Sequence, residues 1–109
     1  MKTKAIPILY VDPPAHLSEA SKQLWKHLLE TGRIRTLPRL ALLQTGLEAR
    51  DRADEARLKI GDALTIKTER SGVEHLNPLL RLERENRQLF VKIMGQLSLD
   101  GEIYQNPFD

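Results

Sequence analysis

Residues 36–61 read TLPRLALLQTGLEARDRADEARLKIG, and this stretch decides the predicted fold. Pro38 suits the first turn of a helix, because its missing N–H has no helical partner there. Gly61 suits the left-handed residue that commonly ends a helix. We therefore predict one helix over 37–60, which at about 1.5 Å per residue would run roughly 35 Å. That length exceeds what a small domain needs for its own core.

The two halves of this helix differ in composition. The first half places Leu40, Leu43 and Leu47 at steps of three and four, which is typical of a buried helical face. The second half consists mainly of alanine and charged residues, including Glu55 and Lys59 in the favourable orientation for an ion pair. We predict that the first half packs in the core and that the second half projects or meets another chain.

A shorter helix is predicted before the long one. Ser18 is a suitable N-cap and Gly32 is a suitable residue after the last turn, so the helix covers about 18–31. Trp25 is the only tryptophan, and we interpret it as a core anchor. The short link over 32–36 makes the two helices antiparallel or crossing neighbours.

The pattern changes to strands after the long helix. Residues 64–68, LTIKT, alternate in polarity and are rich in β-branched residues, Ser71-Gly72 favours a turn, and residues 73–76 follow. These features predict a small two-stranded hairpin. Asn77-Pro78 then supplies an N-cap and a first-turn proline for a third helix that ends near Leu97.

The predicted fold class is mainly α, with three helices, the central one long, and a small β-hairpin between helices two and three. Residues 1–16 contain three prolines and are predicted to form an extended N-terminal arm. Residues 17–99 form the helical domain. Residues 100–109 form an acidic tail, in which Tyr104 and Phe108 are candidate docking points.

Composition excludes several classes of protein. The chain has 109 residues, and 40% of them are hydrophobic. No apolar run approaches the length of a membrane span, which is roughly 20 residues. Cysteine is absent, which removes disulfides, cysteine-ligated zinc and thiol catalysis and favours an intracellular protein. The N-terminus is not predicted to be a signal peptide, because its apolar part is short and prolines follow.

Catalytic patterns are not evident in the sequence. No glycine-rich phosphate loop occurs, so the chain is not predicted to be an ATPase. His16, His27 and His75 lie far apart and lack metal-ligand spacing. The acids of the long helix alternate with arginines, which favours salt bridges over a metal site. We interpret the chain as a non-enzyme without metal or cofactor.

The net charge of +2 hides an asymmetry. Residues 1–50 carry eight Lys/Arg and four Asp/Glu, whereas residues 51–109 carry nine and eleven. The basic residues are densest over 22–39. A basic front half permits a polyanion partner, and the alternative interpretation is a solvated surface.

The order of these features resembles the small subunit of tailed-phage terminases, over about residues 13–100. The start of the family pattern is matched by Pro14-Ala15-His16-Leu17-Ser18 and Leu24-Trp25. The later matches are Gly32, Glu48-Ala49, Gly61, Lys67-Thr68, Ser71-Gly72, Asn77-Pro78 and Leu97-Ser98-Leu99. The chain departs from the family at Ser98, where the closing motif usually has glycine.

This resemblance implies a non-catalytic subunit that assembles into a ring, in the cytoplasm of an infected host cell. Such a subunit binds double-stranded viral DNA and presents it to a terminase large subunit, which carries the ATPase and nuclease. Charge clustering predicts the phosphate contacts to be Lys22, Lys26, Arg33, Arg35 and Arg39. The predicted ring contacts are Leu42, Leu47, Phe90 and Ile93.

Two other functions fit the same sequence. A helical protein–protein adaptor without DNA affinity is favoured by the acidic second half of the chain. A small DNA-binding regulator would instead form a dimer on a palindromic site. The leucine-rich start of helix two disfavours direct base reading by that helix, where polar residues would be expected.

Overall fold

The computed structural model describes residues 9–67 and 70–99, which form three helices and one two-stranded antiparallel hairpin. This architecture confirms the predicted mainly α fold. In chain order the elements are α1 (Glu19–Glu30), α2 (Leu37–Ile60), β1 (Thr65–Lys67), β2 (Glu74–Leu76) and α3 (Pro78–Gln96).

Local capping residues set the helix ends. The hydroxyl of Ser18 accepts a hydrogen bond of 3.2 Å from the Ser21 N–H, and the side chain of Asn77 accepts one of 3.1 Å from the Leu79 N–H. Each bond gives a partner to a backbone donor that the helix itself leaves unpaired. Gly61 ends α2 with a φ of 49°, in the region that favours glycine. The predicted caps of α1, α2 and α3 are confirmed.

The helices α2 and α3 run antiparallel and in close contact. A Cβ added at Gly46 would lie only 2.9 Å from the Ile93 Cγ2 atom, so the two backbones approach closely there. Nearer the hairpin, Arg87 Nη1 donates to Asp54 Oδ1 at 2.8 Å. The pair therefore forms a long two-helix layer that the hairpin connects at one end.

The prediction that the second half of α2 projects is wrong, whereas its alternative, contact with another chain, stays a prediction. Ala53, Ala56 and Ile60 are at most 2% exposed, and α3 runs alongside them. Arg57 Nη1 also lies 3.7 Å from Glu83 Oε1 of α3. The physical reason is that alanine lets two helices approach closely, so a face of small residues packs although it lacks large apolar side chains.

Helix α1 covers the other end of this layer. Trp25, Leu28 and Leu29 are at most 2% exposed and join a core that includes Leu43 of α2 and Met94 of α3. The interpretation of Trp25 as a core anchor is confirmed.

The indole of Trp25 also fixes the chain before α1. Its Nε1 donates to the Val11 carbonyl at 2.7 Å, and Leu9 packs against the core. Residues 9–16 therefore lie along the domain without regular structure. Residues 1–8 of the predicted arm and the whole predicted tail, 100–109, lie outside the described residues.

The hairpin extends the layer at the end opposite α1. Its register pairs Ile66 with His75 and Lys67 with Glu74, and all six strand residues are exposed. Asn77 joins the hairpin to α3, because its N–H donates to the Leu64 carbonyl at 2.8 Å. The hairpin prediction is confirmed for the described residues.

Candidate nucleic-acid interface

Four of the five predicted phosphate contacts lie at the end of the molecule that α1 covers. Lys22 and Lys26 stand four residues apart on α1, which places them on one face of the helix. Arg33 and Arg35 lie in the link between α1 and α2. We call Lys22, Lys26, Arg33 and Arg35 the basic corner.

The link holds its two arginines outward because the residue between them is an anchor. Ile34 is fully buried, whereas Arg33 and Arg35 are exposed. The N–H groups of Arg33 and Ile34 donate to the Leu28 carbonyl, at 2.9 Å and 3.3 Å respectively. These two bonds close the C-terminal end of α1. The sequence pattern basic–apolar–basic thus becomes two exposed cations on a fixed backbone.

Gly32 shapes the same turn. Its φ of 71° lies in the left-handed region, and a Cβ there would approach Arg35 Nη2 to 2.9 Å. The Nε of Arg35 donates to the Gly32 carbonyl at 2.9 Å, so this guanidinium is held against the turn. Its remaining N–H groups can donate to an anion such as a phosphate.

The two lysines differ in their surroundings. Lys22 Nζ lies 3.6 Å from Glu19 Oε1, and the Lys22 side chain is 26% exposed. Lys26 is exposed. A surface pair such as Lys22–Glu19 contributes little stability and competes weakly with a phosphate.

Arg39 has a different position from the other four. Its Nη2 donates to the Leu97 carbonyl at 2.7 Å and to the Arg33 carbonyl at 3.5 Å. Its side chain is partly buried between the start of α2 and the end of α3. A cation there satisfies the Leu97 carbonyl and lies at the negative end of the α3 helix dipole. Its guanidinium is therefore committed to backbone partners, and its role as a phosphate contact stays a prediction.

The structure places most of the predicted ring contacts inside the chain. Leu47, Ile93 and Phe90 are 0%, 3% and 7% exposed and belong to its core. Leu42 is partly buried against that core. Three of the four side chains cannot meet a second copy unless the core opens, because their own chain already covers them. The assignment of these three as ring contacts therefore needs correction, and the ring itself stays a prediction.

A polar cluster that the sequence did not reveal joins the start of α1 to α2. Asp51 accepts hydrogen bonds from the Ser18 N–H at 2.8 Å, the Ser18 hydroxyl at 2.7 Å and the Ser21 hydroxyl at 2.6 Å. Partial burial acts to raise the pKa of Asp51, but the bonds from Ser21 and Ser18 outweigh it and leave the pKa below its usual value. Asp51 therefore fixes α1 on α2.

His16 and Glu48 lie beside this cluster. His16 Nε2 lies 2.7 Å from Glu48 Oε2, and the hydrogen bond from His16 is the main cause that lowers the pKa of Glu48. From the sequence, the acids of α2 are predicted to form salt bridges with neighbouring arginines. This prediction does not identify the bonds of Asp51 and Glu48, because their partners lie far away in the sequence, in and just before α1.

Within residues 9–67 and 70–99, no group of three or more His, Asp or Glu side chains could hold a metal ion. None of the helices in these ranges is long and apolar enough to cross a membrane. Comparison of the chain with protein-family models, curated proteins and solved structures finds no match. Its function is therefore inferred from the fold and from the basic corner.

Proposed function

We propose that the chain is the non-catalytic small subunit of a phage terminase, which binds double-stranded DNA and presents it to the large subunit. The observation that carries the proposal is the basic corner, four cations held by α1 and its link on a fixed turn. The order of elements supports it, since α1, a long α2, a hairpin and a closing α3 match the order expected from the resemblance.

The basic corner acts through phosphate contacts. Lysine and arginine side chains that neutralise phosphates release condensed counterions, so the affinity falls as salt rises. Such contacts fix the register of a protein on DNA without reading sequence. The buried Ile34 and the turn at Gly32 hold the corner in place before DNA arrives. Because the link is already ordered, DNA binding costs little additional conformational entropy there.

Arg39 has a supporting role in this proposal. Its bonds to the carbonyls of Leu97 and Arg33 connect the end of α3 to the link. The position of Arg33 thus depends on α3, although α3 supplies no residue of the basic corner. A ring of subunits would present several such corners to one duplex and raise the overall affinity through multivalency.

The first experiment is titration of a labelled duplex with the full chain at low salt, read by fluorescence anisotropy, with the mass of the chain measured by light scattering. We expect saturable binding that weakens as salt rises, together with a closed oligomer at high protein concentration. The absence of binding to any duplex at low salt would overturn the proposal.

One observation favours the adaptor as a second candidate. Leu64, Ile66 and Val73 lie on one face of the hairpin and are 54%, 42% and 51% exposed. Exposed apolar groups beside one another are common at protein–protein contacts. An adaptor would lack DNA affinity in the same titration, and substitution of Ile66 by glutamate would abolish its partner binding.

A further inference from the structure

The end of the molecule far from the basic corner contains an apolar groove with a basic rim. Its volume is about 360 Å³, and its lining residues are Leu76, Asn77, Pro78, Leu80, Arg81 and Arg84. Leu76 is 73% exposed, so part of the apolar lining is in contact with solvent. Arg81 Nε donates to Glu85 Oε1 at 2.8 Å, while Arg84 is exposed and has no ion pair within the described part of the chain.

A stripe of polar side chains leads along α3 from this groove. Arg81, Arg84, Gln88 and Lys92 follow at steps of three and four residues, so they share one face of the helix. All four are exposed. The stripe is basic at both ends and runs toward the end of α3 at which residue 100 begins.

We propose that the groove and this stripe bind the acidic segment 100–109, DGEIYQNPFD, of the same chain. The segment has acidic residues at both ends, which complement the cations of α3. It also contains the large apolar side chain of Phe108, whose surface gains from leaving water for the groove. Phe108 has the acid Asp109 next to it, so the pair matches an apolar groove with a basic rim.

The length of the segment permits this contact within one chain. Leu80 lies in the first turn of α3 and Gln96 is its last residue. At about 1.5 Å per residue, the distance between these two residues along the helix is about 24 Å. The extended chain from Leu99 to Phe108 spans about 30 Å. Phe108 is therefore the large apolar residue that can reach the groove, whereas Ile103 and Tyr104 reach only part of the stripe.

A cysteine pair tests the contact directly, because the chain has no cysteine of its own. The test variant carries Leu80→Cys and Phe108→Cys, and the control carries Thr45→Cys and Phe108→Cys. Thr45 is exposed and lies next to Gly46, which faces Ile93 and Met94 near the end of α3. An undirected segment would meet position 45 more often, since this position is nearer to Leu99.

The readout is the rate of disulfide formation, divided by the rate at which each single-cysteine variant reacts with a small disulfide reagent. We expect the groove pair to form its disulfide about tenfold faster than the control pair, because docking raises the effective concentration. An equal or slower rate would overturn the proposal. If Leu80→Cys lowers the helical content, the exposed lining residue Leu76→Cys replaces it.

A non-reducing gel identifies the source of the segment. A fast disulfide within the monomer band supports docking from the same chain, whereas a fast disulfide found only in a dimer band or ladder would overturn that assignment and identify a second copy. Adding Arg81→Glu and Arg84→Glu to the Leu80/Phe108 pair should slow the reaction to the control rate. An unchanged rate would contradict the charge complementarity. None of these readouts involves DNA, so their failure leaves the proposed function untouched.

Discussion

The Nη2 atom of Arg39 lies 2.7 Å from the carbonyl oxygen of Leu97, although the two residues are 58 positions apart. This bond joins the first turn of α2 to the end of α3, and a second bond reaches the Arg33 carbonyl in the link. Arg39, which the sequence analysis assigns to a surface charge cluster, thus stabilises the fold by joining α2 to α3 and to the link. Its effects on stability and on DNA binding can be measured separately.

Replacing Arg39 by methionine should lower the free energy of unfolding by about 1–3 kcal/mol, because the carbonyls of Leu97 and Arg33 lose a charged donor. Urea unfolding followed by circular dichroism measures this change. Under the proposed function, the folded variant should retain most of the native chain's affinity for DNA. Unchanged stability with lost affinity would show that Arg39 is mainly a DNA contact.

Replacing Asp51 by asparagine removes the charged acceptor of three hydrogen bonds. The change should destabilise the chain by about 1–3 kcal/mol at neutral pH. Equilibrium urea unfolding measures the difference. The matched control is Asp62→Asn, at an exposed position just after α2. A surface change of this kind should alter stability by less than about 0.5 kcal/mol.

Acid should lower the free energy of unfolding of the native chain, because Asp51 becomes protonated. Folding lowers the pKa of Asp51. Its contribution is therefore fully present above the ordinary pKa of about 3.9 and is lost as the pH falls through the lower folded value. Glu48 acts in the same direction. Urea unfolding from neutral to strongly acid pH should show a shallower acid loss for Asp51→Asn than for the native chain. Parallel pH profiles would contradict the assignment.

Two glycine-to-alanine changes in helices should have opposite effects. Gly46→Ala places a methyl group 2.9 Å from Ile93 Cγ2. Overpacking of this kind costs about 1–3 kcal/mol, which outweighs the helix-propensity gain of about 1 kcal/mol, so Gly46→Ala should destabilise the chain. The methyl group of Gly95→Ala meets no atom within 4 Å, so this change should stabilise the chain by about 0.5–1 kcal/mol. Urea unfolding measures the free energy of unfolding of both variants. Equal stabilisation by the two changes would contradict the close approach of α2 and α3.

Local signals in the sequence predicted the secondary structure well. Pro38 and Gly61 mark both ends of α2, and Ser18 and Asn77 form the side-chain caps that their positions predicted. These signals act over a few residues, so no knowledge of the tertiary structure is needed to interpret them. The basic corner could also be predicted in part, because Arg33 and Arg35 flank an apolar residue in a short link.

Contacts between distant elements could not be predicted in the same way. The alanines at positions 53 and 56 face α3, but small side chains give a weak periodic signal in the sequence.

Leu47, Phe90 and Ile93 are apolar whether their own chain or a second copy covers them, so the sequence pattern alone does not distinguish a core residue from a ring contact. Asp51 and Arg39 bond to residues in other elements of the fold, which charge spacing within α2 does not indicate.

The proposed function depends on DNA binding by the basic corner through phosphate contacts. Its most direct test compares two variants with equal changes in charge. One replaces Lys22, Lys26, Arg33 and Arg35 with glutamine, and the control similarly replaces the exposed cations Arg52, Lys59, Lys67 and Lys92. Fluorescence anisotropy with a labelled duplex measures the affinity of each variant over a range of salt concentrations.

The corner variant should lose affinity, and its slope of log affinity against log salt should become shallower by about 3–4, or about 0.9 for each lost phosphate contact. The control should retain a slope close to that of the native chain. If both variants lose affinity equally, or if the corner variant keeps the native affinity and slope, the basic corner is not the DNA-binding surface.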